Sequence, residues 1–476
     1  MASRKPARRS PTRSRPVAAA AQPLVVIILA AGAGKRMKSA LPKVLQPLAG
    51  RPLLQHVLDT ARTLHPAVIH VVYGHGGAAL RKAFAHEQVS WVAQTTQQGT
   101  GHAVMQVLPH LHPDQRALIL YGDGPLITTQ TLEALLQAAG RDDVGLLTVN
   151  AGNPEGYGRV LRDAKGRVRG IVEEQDATAK QRRVRECNTG VMTVPVKRLT
   201  AWLARINNRN EQGEYYLTDI IGLAVRDGVT VQPLIAADEQ EVQGVNDRVQ
   251  LAAAESAWRA RQSRRLLLEG VTLIDPARID VRGAVTVGQD VVIDVNVVLE
   301  GDVKLGDGVR IGPNCLIRDT AIAAGTEVLA NCVIDRAQIG PGCRVGPFAR
   351  LRPEAVLAEH VHVGNFVEVK KTRLGAGSKA NHLTYLGNAD IGAHVNIGAG
   401  TVTCNYDGVN KSVTTIEDDA FIGSGSMLVA PVHIGAGANI GAGSTISRTA
   451  PAGQLTVGRA RQVSIPGWKR PSKRET

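Results

Sequence analysis

Aromatic residues are scarce in this chain. Phe, Trp and Tyr together make 3% of its 476 residues. Few flat apolar faces are left on which nucleic-acid bases could stack, which argues against a single-stranded nucleic-acid binder. Cysteine is rare too. Cys187, Cys315, Cys332, Cys343 and Cys404 form no C-x-x-C pair, so the spacing encodes neither a disulfide framework nor a thiolate zinc site. An odd count without metal spacing suits a reducing, cytoplasmic setting. No apolar run reaches the ~18 residues of a membrane helix. The longest, residues 24–33, has Gly32 near its end and runs through Gly34 into Lys35 and Arg36. The basic leader is followed by alanines and a buried-strand pattern, so no cleavable signal peptide is expected.

Acidic residues are in deficit, and the formal net charge is +14. Its distribution argues against a polyanion partner. Residues 1–16 hold six Lys/Arg and no acid, and residues 468–476 hold four Lys/Arg and one Glu. These tails, rich in Pro, Ser and Arg, read as disordered. The modest excess that remains suits anionic small molecules.

What the sequence does contain is a period. Val287, Ile293, Leu299, Leu305, Ile311 and Ile317 fall six apart, and Gly often follows. After a four-residue slip the series resumes at Val333, Ile339, Val345, Leu351, Leu357, Val363 and Val369. It returns at Ile391 and Ile397, then at Ile422, Leu428, Ile434, Ile440 and Ile446. Six matches neither 3.6 nor 7, which excludes a helical stripe or coiled coil. It predicts a parallel β-helix, each hexapeptide giving a short strand and a corner with the aliphatic residue inside. An ordinary β-sandwich would alternate with period two. The period fails at 370–386 and 403–416. The second gap, Asn405-Tyr-Asp-Gly-Val-Asn-Lys411, is turn-rich and predicts a projecting loop.

Ahead of the repeats, residues 23–29 read as a buried strand that opens directly onto Ala30-Ala-Gly-Ala-Gly-Lys-Arg-Met37. Such a loop lets backbone N–H groups approach a phosphate, and equally serves as a tight strand-to-helix turn. It fits neither the Rossmann fingerprint, which needs Gly where Met37 stands, nor the Walker pattern, which needs Gly at Leu29 and Ser or Thr at Arg36. Further strands at 67–73, 90–93, 117–121 and 144–149 alternate with helical stretches and imply a mainly parallel α/β sheet. Its ligands should sit at the carboxyl ends of the strands. There Asp123, after one strand, offers oxygen to a hard cation or simply closes a turn. Residues 251–268 read as a helix joining two domains. The expected organisation is a basic tail (1–21), an α/β domain (22–248), a helical linker (249–269), a β-helix domain (270–465) and a second basic tail (466–476).

Several motifs occur together and in order: Leu29-Ala-Ala-Gly-x-Gly-x-Arg-Met37, Leu41-Pro-Lys-Val-Leu45, Gln97-x-Gly-Thr-Gly-His102, Tyr121-Gly-Asp123, Tyr157-Gly-Arg159, Ile171-Val-Glu173, Asn188-Thr-Gly190, Gly213-Glu-Tyr-Tyr-Leu-Thr-Asp219 and Gly244-Val-Asn246. This series resembles the sugar-nucleotide pyrophosphorylases. With the hexapeptide domain behind it, the chain resembles the bifunctional N-acetylglucosamine-1-phosphate uridylyltransferase and glucosamine-1-phosphate N-acetyltransferase family over residues 22–468. Lys35 stands where the wider family usually has Thr, and Asn381 where it usually has Gly.

The resemblance implies a Rossmann-like nucleotidyltransferase domain and a left-handed parallel β-helix. It also implies roles. Leu29, Ala30, Ala31, Gly32, Gln94, Gly99 and Thr100 would hold the uracil and ribose of UTP. Lys43 would balance phosphate charge. Tyr121, Gly122, Gly158, Glu173 and Asn188 would contact the nucleotide sugar, and Asp123 with Asn246 would coordinate Mg²⁺. By sequence alone Asn246 reads equally as the N-cap of a helix beginning at 247.

In the β-helix, Asn381-His-Leu-Thr-Tyr-Leu-Gly387 matches the family's catalytic stretch and makes His382 the base that takes the amine proton. Taken by itself, His382 reads equally as a surface histidine. Arg352 and Lys370 would hold the sugar phosphate; without the resemblance they read equally as a solvated face. Tyr385, Asn396 and Asn405 would hold the sugar. Asn405 and Tyr406 would face the acetyl donor, and Ala399, Ser424, Ala442 and Arg459 would line acetyl-CoA. A homotrimer with shared acetyl-transfer sites, acting in peptidoglycan and lipopolysaccharide synthesis, is likewise implied, without nucleic acid or a membrane span. Two rival readings stay open from the residues alone. One is uridylyl transfer with a purely structural β-helix; the other is a regulatory or nucleic-acid role for the basic tails.

Overall fold

The structure, a computed structural model, describes residues 22–32, 34–74, 76–471 and 473. The N-terminal basic tail lies outside the described residues, as do four residues of the C-terminal one. The chain divides after Ala254 into two compact units. The break falls inside the helix Arg248–Leu268, three residues longer at its start than the sequence reading placed it. Among the described residues no helix is long and apolar enough to cross a membrane.

The first unit is built on a nine-stranded sheet. Its strands are β1 (Leu24–Ala30), β2 (Val68–Tyr73), β3 (Ser90–Ala93), β4 (Arg116–Tyr121), β5 (Val144–Asn150), β6 (Arg159–Arg162), β7 (Val168–Val172), β8 (Glu186–Pro195) and β9 (Val231–Ile235). The main path runs β9-β5-β8-β4-β1-β2-β3. All neighbours on it are parallel except β8, which is antiparallel to both β4 and β5. Six of the seven β1 residues are buried because both sheet faces are covered. Val25, Ile27 and Leu29 point into one apolar cluster, with the helices Thr100–Met105, Val196–Leu203 and Asp219–Arg226. Val26, Ile28 and Ala30 point into the other, with Leu53–Arg62 and Thr129–Ala138. Helices on both sides leave the strand ends as the place where polar side chains gather.

The second unit is a parallel β-helix with three rows of inward residues. One row, on its own 11-stranded sheet, runs Leu273, Ile293, Ile311, Val328, Val345, Val363, Ala380, Ile397, Ile422, Ile440. The other two rows share a 15-stranded sheet, joined where strands such as Val297–Leu305 and Tyr385–Ile391 turn a corner. Coils repeat after 18 residues from Asn296 to Asn314 and after 17 from Asn314 to Asn331. Those three asparagines stack at one corner, each with φ near 60°, a left-handed conformation that Asn tolerates. Asn296 donates to Asn314 at 2.8 Å and Asn314 to Asn331 at 3.2 Å. Cys315, Cys332 and Cys343 are buried in this core, and Cys404 is only partly buried.

The shorter coils correct the sequence reading twice. The inward series does not slip by four residues after Ile317. It continues through Ile322, Val328 and Ile334, while Val333 is 37% exposed. Residues 370–386 are no interruption either. Leu374 and Ala380 fill the inward positions, and the side between Val369 and Leu374 is one residue short. Only the second gap projects. Residues 406–411 are exposed, closed by a bridge between Tyr406 and Lys411.

The corrected register separates two neighbouring aliphatic residues. Ile334→Ala should destabilise the protein by ~2–4 kcal/mol, as expected of a fully buried side chain. Val333→Ala should cost less than about 1 kcal/mol. Denaturant titration of the two variants checks this, and equal losses would overturn the register.

Candidate functional sites

In the first unit a cavity of about 660 Å³ opens where β1 and β4 end. It is lined by Leu29, Ala30, Ala31, Gly32, Lys43, Gln94, Gly99, Thr100, Tyr121, Asp123, Gly158, Glu173, Asn188 and Asn246, so the residues singled out in this half of the chain come together. The exception is Gly122. It lies beneath the surface, where its N–H donates to Leu29 at 2.9 Å and a Cβ would press on Ala30, Val44 and Leu54. Arg36 joins the lining; Lys35 is exposed outside it.

At one end of the cavity the Lys43 ammonium donates to the Asp123 carboxylate and, at 2.9 Å, to the Asn246 side-chain oxygen. Two hard oxygen donors thus converge on one cationic atom, which is what a hard divalent ion asks of a partial ligand set. Among the described residues no cluster of three His, Cys, Asp or Glu could hold a metal. Asn246 is not the helix cap: Asp247 accepts from the Gln250 N–H at 2.8 Å, while the Asn246 N–H donates to Gln250 Oε1 at 2.7 Å.

Also in the lining, Glu173 is half-buried and accepts from the Thr218 hydroxyl at 2.7 Å. Burial pushes its carboxyl above the ordinary range, partly opposed by that hydrogen bond. Burial likewise raises the Tyr121 phenol. A bulge in β8 between Asn188 and Met192 turns Asn188 toward the cavity. Gly190, inside the bulge, has φ 83°, and a Cβ there would strike the Tyr121 ring. Gln97 and His102, which the sequence reading gave no role, brace the loop. Gln97 donates to the Ala31 carbonyl at 2.5 Å, and His102 touches Gln94 at 3.1 Å.

In the second unit the register Ala380↔Ile397↔Ile422↔Ile440 puts His382, Ala399, Ser424 and Ala442 at one corner position of four successive coils. Arg459 reaches the end of this row and donates to the Ala442 carbonyl at 2.5 Å. One coil before His382, at the same position, stands Asn365. Its side-chain oxygen lies 3.1 Å from His382 Nδ1. A carbonyl oxygen only accepts, so Nδ1 carries the hydrogen and Nε2 keeps the lone pair of a base. His382 is exposed.

Arg352, Lys370 and Tyr385 point outward from the adjoining face. Arg352 pairs with Glu368 at 2.7 Å. Lys411, on the projecting loop, was missed by the sequence reading. Its ammonium, with the Arg352 guanidinium, holds Lys370 below the usual lysine range, which marks three cations crowded at one spot. Gly387 leaves room for the Tyr385 hydroxyl, which a Cβ would meet at 2.3 Å. Asn405 is buried and donates to Asn388 at 2.8 Å, and Tyr406 is exposed beside it. Asn396 does not join Tyr385. It points outward from the other face of the corner.

Asn365 makes a test of the imidazole. Asn365→Ala should slow the reaction that depends on His382 by about tenfold, one lost orienting hydrogen bond. Chemistry in the first unit should be unchanged. Separate assays of the two half-reactions on this variant check it.

Three family models match the chain: the MobA-like NTP transferase domain over residues 26–194, the GMPPB C-terminal domain over residues 281–383, and the bacterial transferase hexapeptide (six repeats) over residues 414–448. The bifunctional protein GlmU of Stenotrophomonas maltophilia (strain K279a) is 57% identical over 454 residues, covering 95% of this chain and 99% of its own length. That of Ralstonia pickettii (strain 12J) is 56% identical over 450 residues, 94% and 99% of the two chains. That of Azoarcus sp. (strain BH72) is 58% identical over 448 residues, again 94% and 99%. A nucleotidyltransferase sheet followed by hexapeptide coils, matched along almost its whole length, places the chain in the GlmU family of bifunctional uridylyl- and acetyltransferases.

Proposed function

We propose that the second unit acetylates glucosamine-1-phosphate with acetyl-CoA and the first joins the product to UTP, giving UDP-N-acetylglucosamine for peptidoglycan and lipopolysaccharide synthesis in the cytoplasm. The reading is carried by one observation: an imidazole with a free Nε2 begins a row of small residues on a coil edge. The amine nitrogen attacks the thioester carbonyl carbon, His382 Nε2 takes the amine proton, the C–S bond breaks, and the imidazolium returns that proton to sulfur so that CoA leaves as the thiol. Arg352 and Lys370, with Lys411 beside them, hold the sugar phosphate. Tyr385, Asn396 and Asn405 hold the sugar. Ala399, Ser424 and Ala442 leave a path for the pantetheine arm, with Asn405 and Tyr406 at the acetyl end and Arg459 at the nucleotide end.

In the first unit a phosphate oxygen of N-acetylglucosamine-1-phosphate attacks the α-phosphorus of UTP, and pyrophosphate leaves. No protein nucleophile is needed, only alignment and charge balance. Asp123 and Asn246 would hold Mg²⁺, which supplies charge neutralisation on the phosphates. Lys43 adds a second cation there. Leu29–Gly32, Gln94, Gly99 and Thr100 take the nucleoside, and Tyr121, Gly122, Gly158, Glu173 and Asn188 the sugar side.

A homotrimer is part of this reading. Tyr385 and Asn396 face away from one another in a single chain, so one sugar meets both roles only if a second copy supplies one of them. The corner beside His382 is also apolar and uncovered. Phe348 and Phe366 stack at 5.3 Å, and they and Leu383 are 49%, 56% and 65% exposed.

Glucosamine-1-phosphate, acetyl-CoA, UTP and Mg²⁺ given to the purified protein should release CoA and pyrophosphate. His382→Ala should cut CoA release by a factor of ~10²–10⁴, the usual worth of a general base. It should spare pyrophosphate release from UTP and N-acetylglucosamine-1-phosphate, and Asp123→Asn should do the reverse. If the wild-type protein released no CoA, the β-helix would be a structural module instead.

A further inference from the structure

Gln94 lines the cavity and is 4% exposed. Its side-chain nitrogen lies 3.1 Å from the Gly99 carbonyl and 3.1 Å from His102 Nδ1. A carbonyl only accepts, so the atom facing Gly99 is the amide nitrogen. Its second hydrogen then points at His102 Nδ1, which must carry a lone pair. With both hydrogens used, the amide presents only its oxygen to a ligand, and among the described residues no donor reaches that oxygen.

The other ring nitrogen sets up a competition. Gln106 Nε2 lies 3.1 Å from the His102 carbonyl and 3.2 Å from His102 Nε2. A neutral imidazole cannot accept at both nitrogens. Gln94 is buried and Gln106 only half-buried, so Gln106 can turn to water more cheaply than Gln94 can turn from its two acceptors. The hydrogen therefore sits on Nε2. The loop itself is tied down: the Gly101 N–H donates to Tyr215 at 2.8 Å, and the Leu217 N–H donates to the Thr100 hydroxyl at 3.1 Å.

We propose that His102, which does not line the cavity, acts as a positioning residue beside the Gly99 carbonyl: the two acceptors together hold the Gln94 amide with its oxygen toward the pyrimidine, and so set the preference for uracil over cytosine. Uracil N3 carries a hydrogen to donate to that oxygen. Cytosine N3 carries a lone pair and would meet it with repulsion. Were the amide free to turn, its nitrogen would serve cytosine as well. The inference rests on the uridylyl-transfer reading and adds the element that selects its base.

The test compares kcat/KM for UTP and CTP, each with N-acetylglucosamine-1-phosphate, in wild type and in three variants. His102→Ala should lower the UTP/CTP ratio by about tenfold or more, with the loss in KM for UTP and kcat little changed. His102→Asn can place an acceptor oxygen where Nδ1 stood and should restore the ratio. His102→Gln, one methylene longer, should not, so the Asn and Gln pair decides the matter even if the Ala variant fails to fold. A ratio unchanged in Ala, or equal in Asn and Gln, would overturn the positioning role. If wild type used neither nucleotide, the uridylyl reading itself would fall; if wild type prefers UTP and the Ala and Gln variants keep that preference, only the role of His102 falls.

Discussion

Coil must lie on coil in register, with one aliphatic residue per side turned inward. The outer surface of the β-helix follows from this requirement. Strands stack ~4.8 Å apart, so residues 17 or 18 positions apart along the chain become neighbours across one step. That is how Asn365 reaches His382, His382 reaches Ala399 and Ser424 reaches Ala442, while the coil from Ala399 to Ser424 keeps the register by throwing its extra residues out as the projecting loop. Close coil contact also explains the glycines. A Cβ on Gly364 would strike the Asn381 carbonyl carbon and oxygen, and one on Gly398 or Gly423 would press on the backbone at 424 or 442. The edge expected to carry the thioester is thin because the next coil leaves no space for anything thicker.

The first unit answers a different constraint. A sheet covered on both faces has no polar surface except at its strand ends. Leu29 and Tyr121 are aligned partners on β1 and β4, and the loops that leave them bring Gly32, Lys43 and Asp123 to one mouth. The antiparallel β8 breaks the pattern. Its bulge is the local irregularity that turns Asn188 into the cavity, and Gly190 is the residue whose missing Cβ lets the Tyr121 ring fill the space behind.

Much of this was legible in the sequence. The hexapeptide period declared the β-helix, and all but one of the site residues named from the strand-and-loop motifs line the cavity. The errors have one cause. A coil of 17 residues drops one position at a corner, which shifts the phase of the aliphatic series. Between Ile317 and Ile339 two candidate residues, Val333 and Ile334, stand side by side, and only the pairing of Ile334 with Ile317 separates them. Between Val369 and Leu386 the inward residues are Leu374 and Ala380, and a small residue at a shifted place hides from a period of six. The helix cap was also misplaced as an alternative for Asn246, because Asp247 beside it is an equally good capping residue and is the one that caps.

What the sequence could not show is the set of residues that act through another. Asn365, His102 and Lys411 have no motif of their own, since each matters for the atom it faces across a coil, a turn or a loop. The two sites use the same device in opposite senses. In one, an amide oxygen settles which nitrogen of an imidazole is bare. In the other, an imidazole and a carbonyl settle which atom of an amide is bare. Imidazole and carboxamide each present a donor and an acceptor in similar places, and each can turn over at modest cost. A side chain with that ambiguity becomes selective only when a neighbour whose role is fixed removes one orientation. The Gly99 carbonyl is such a neighbour, because a backbone oxygen cannot donate. Reading outward from that carbonyl assigns the hydrogens at Gln94 and His102, while at His382 they follow the orientation of the Asn365 amide.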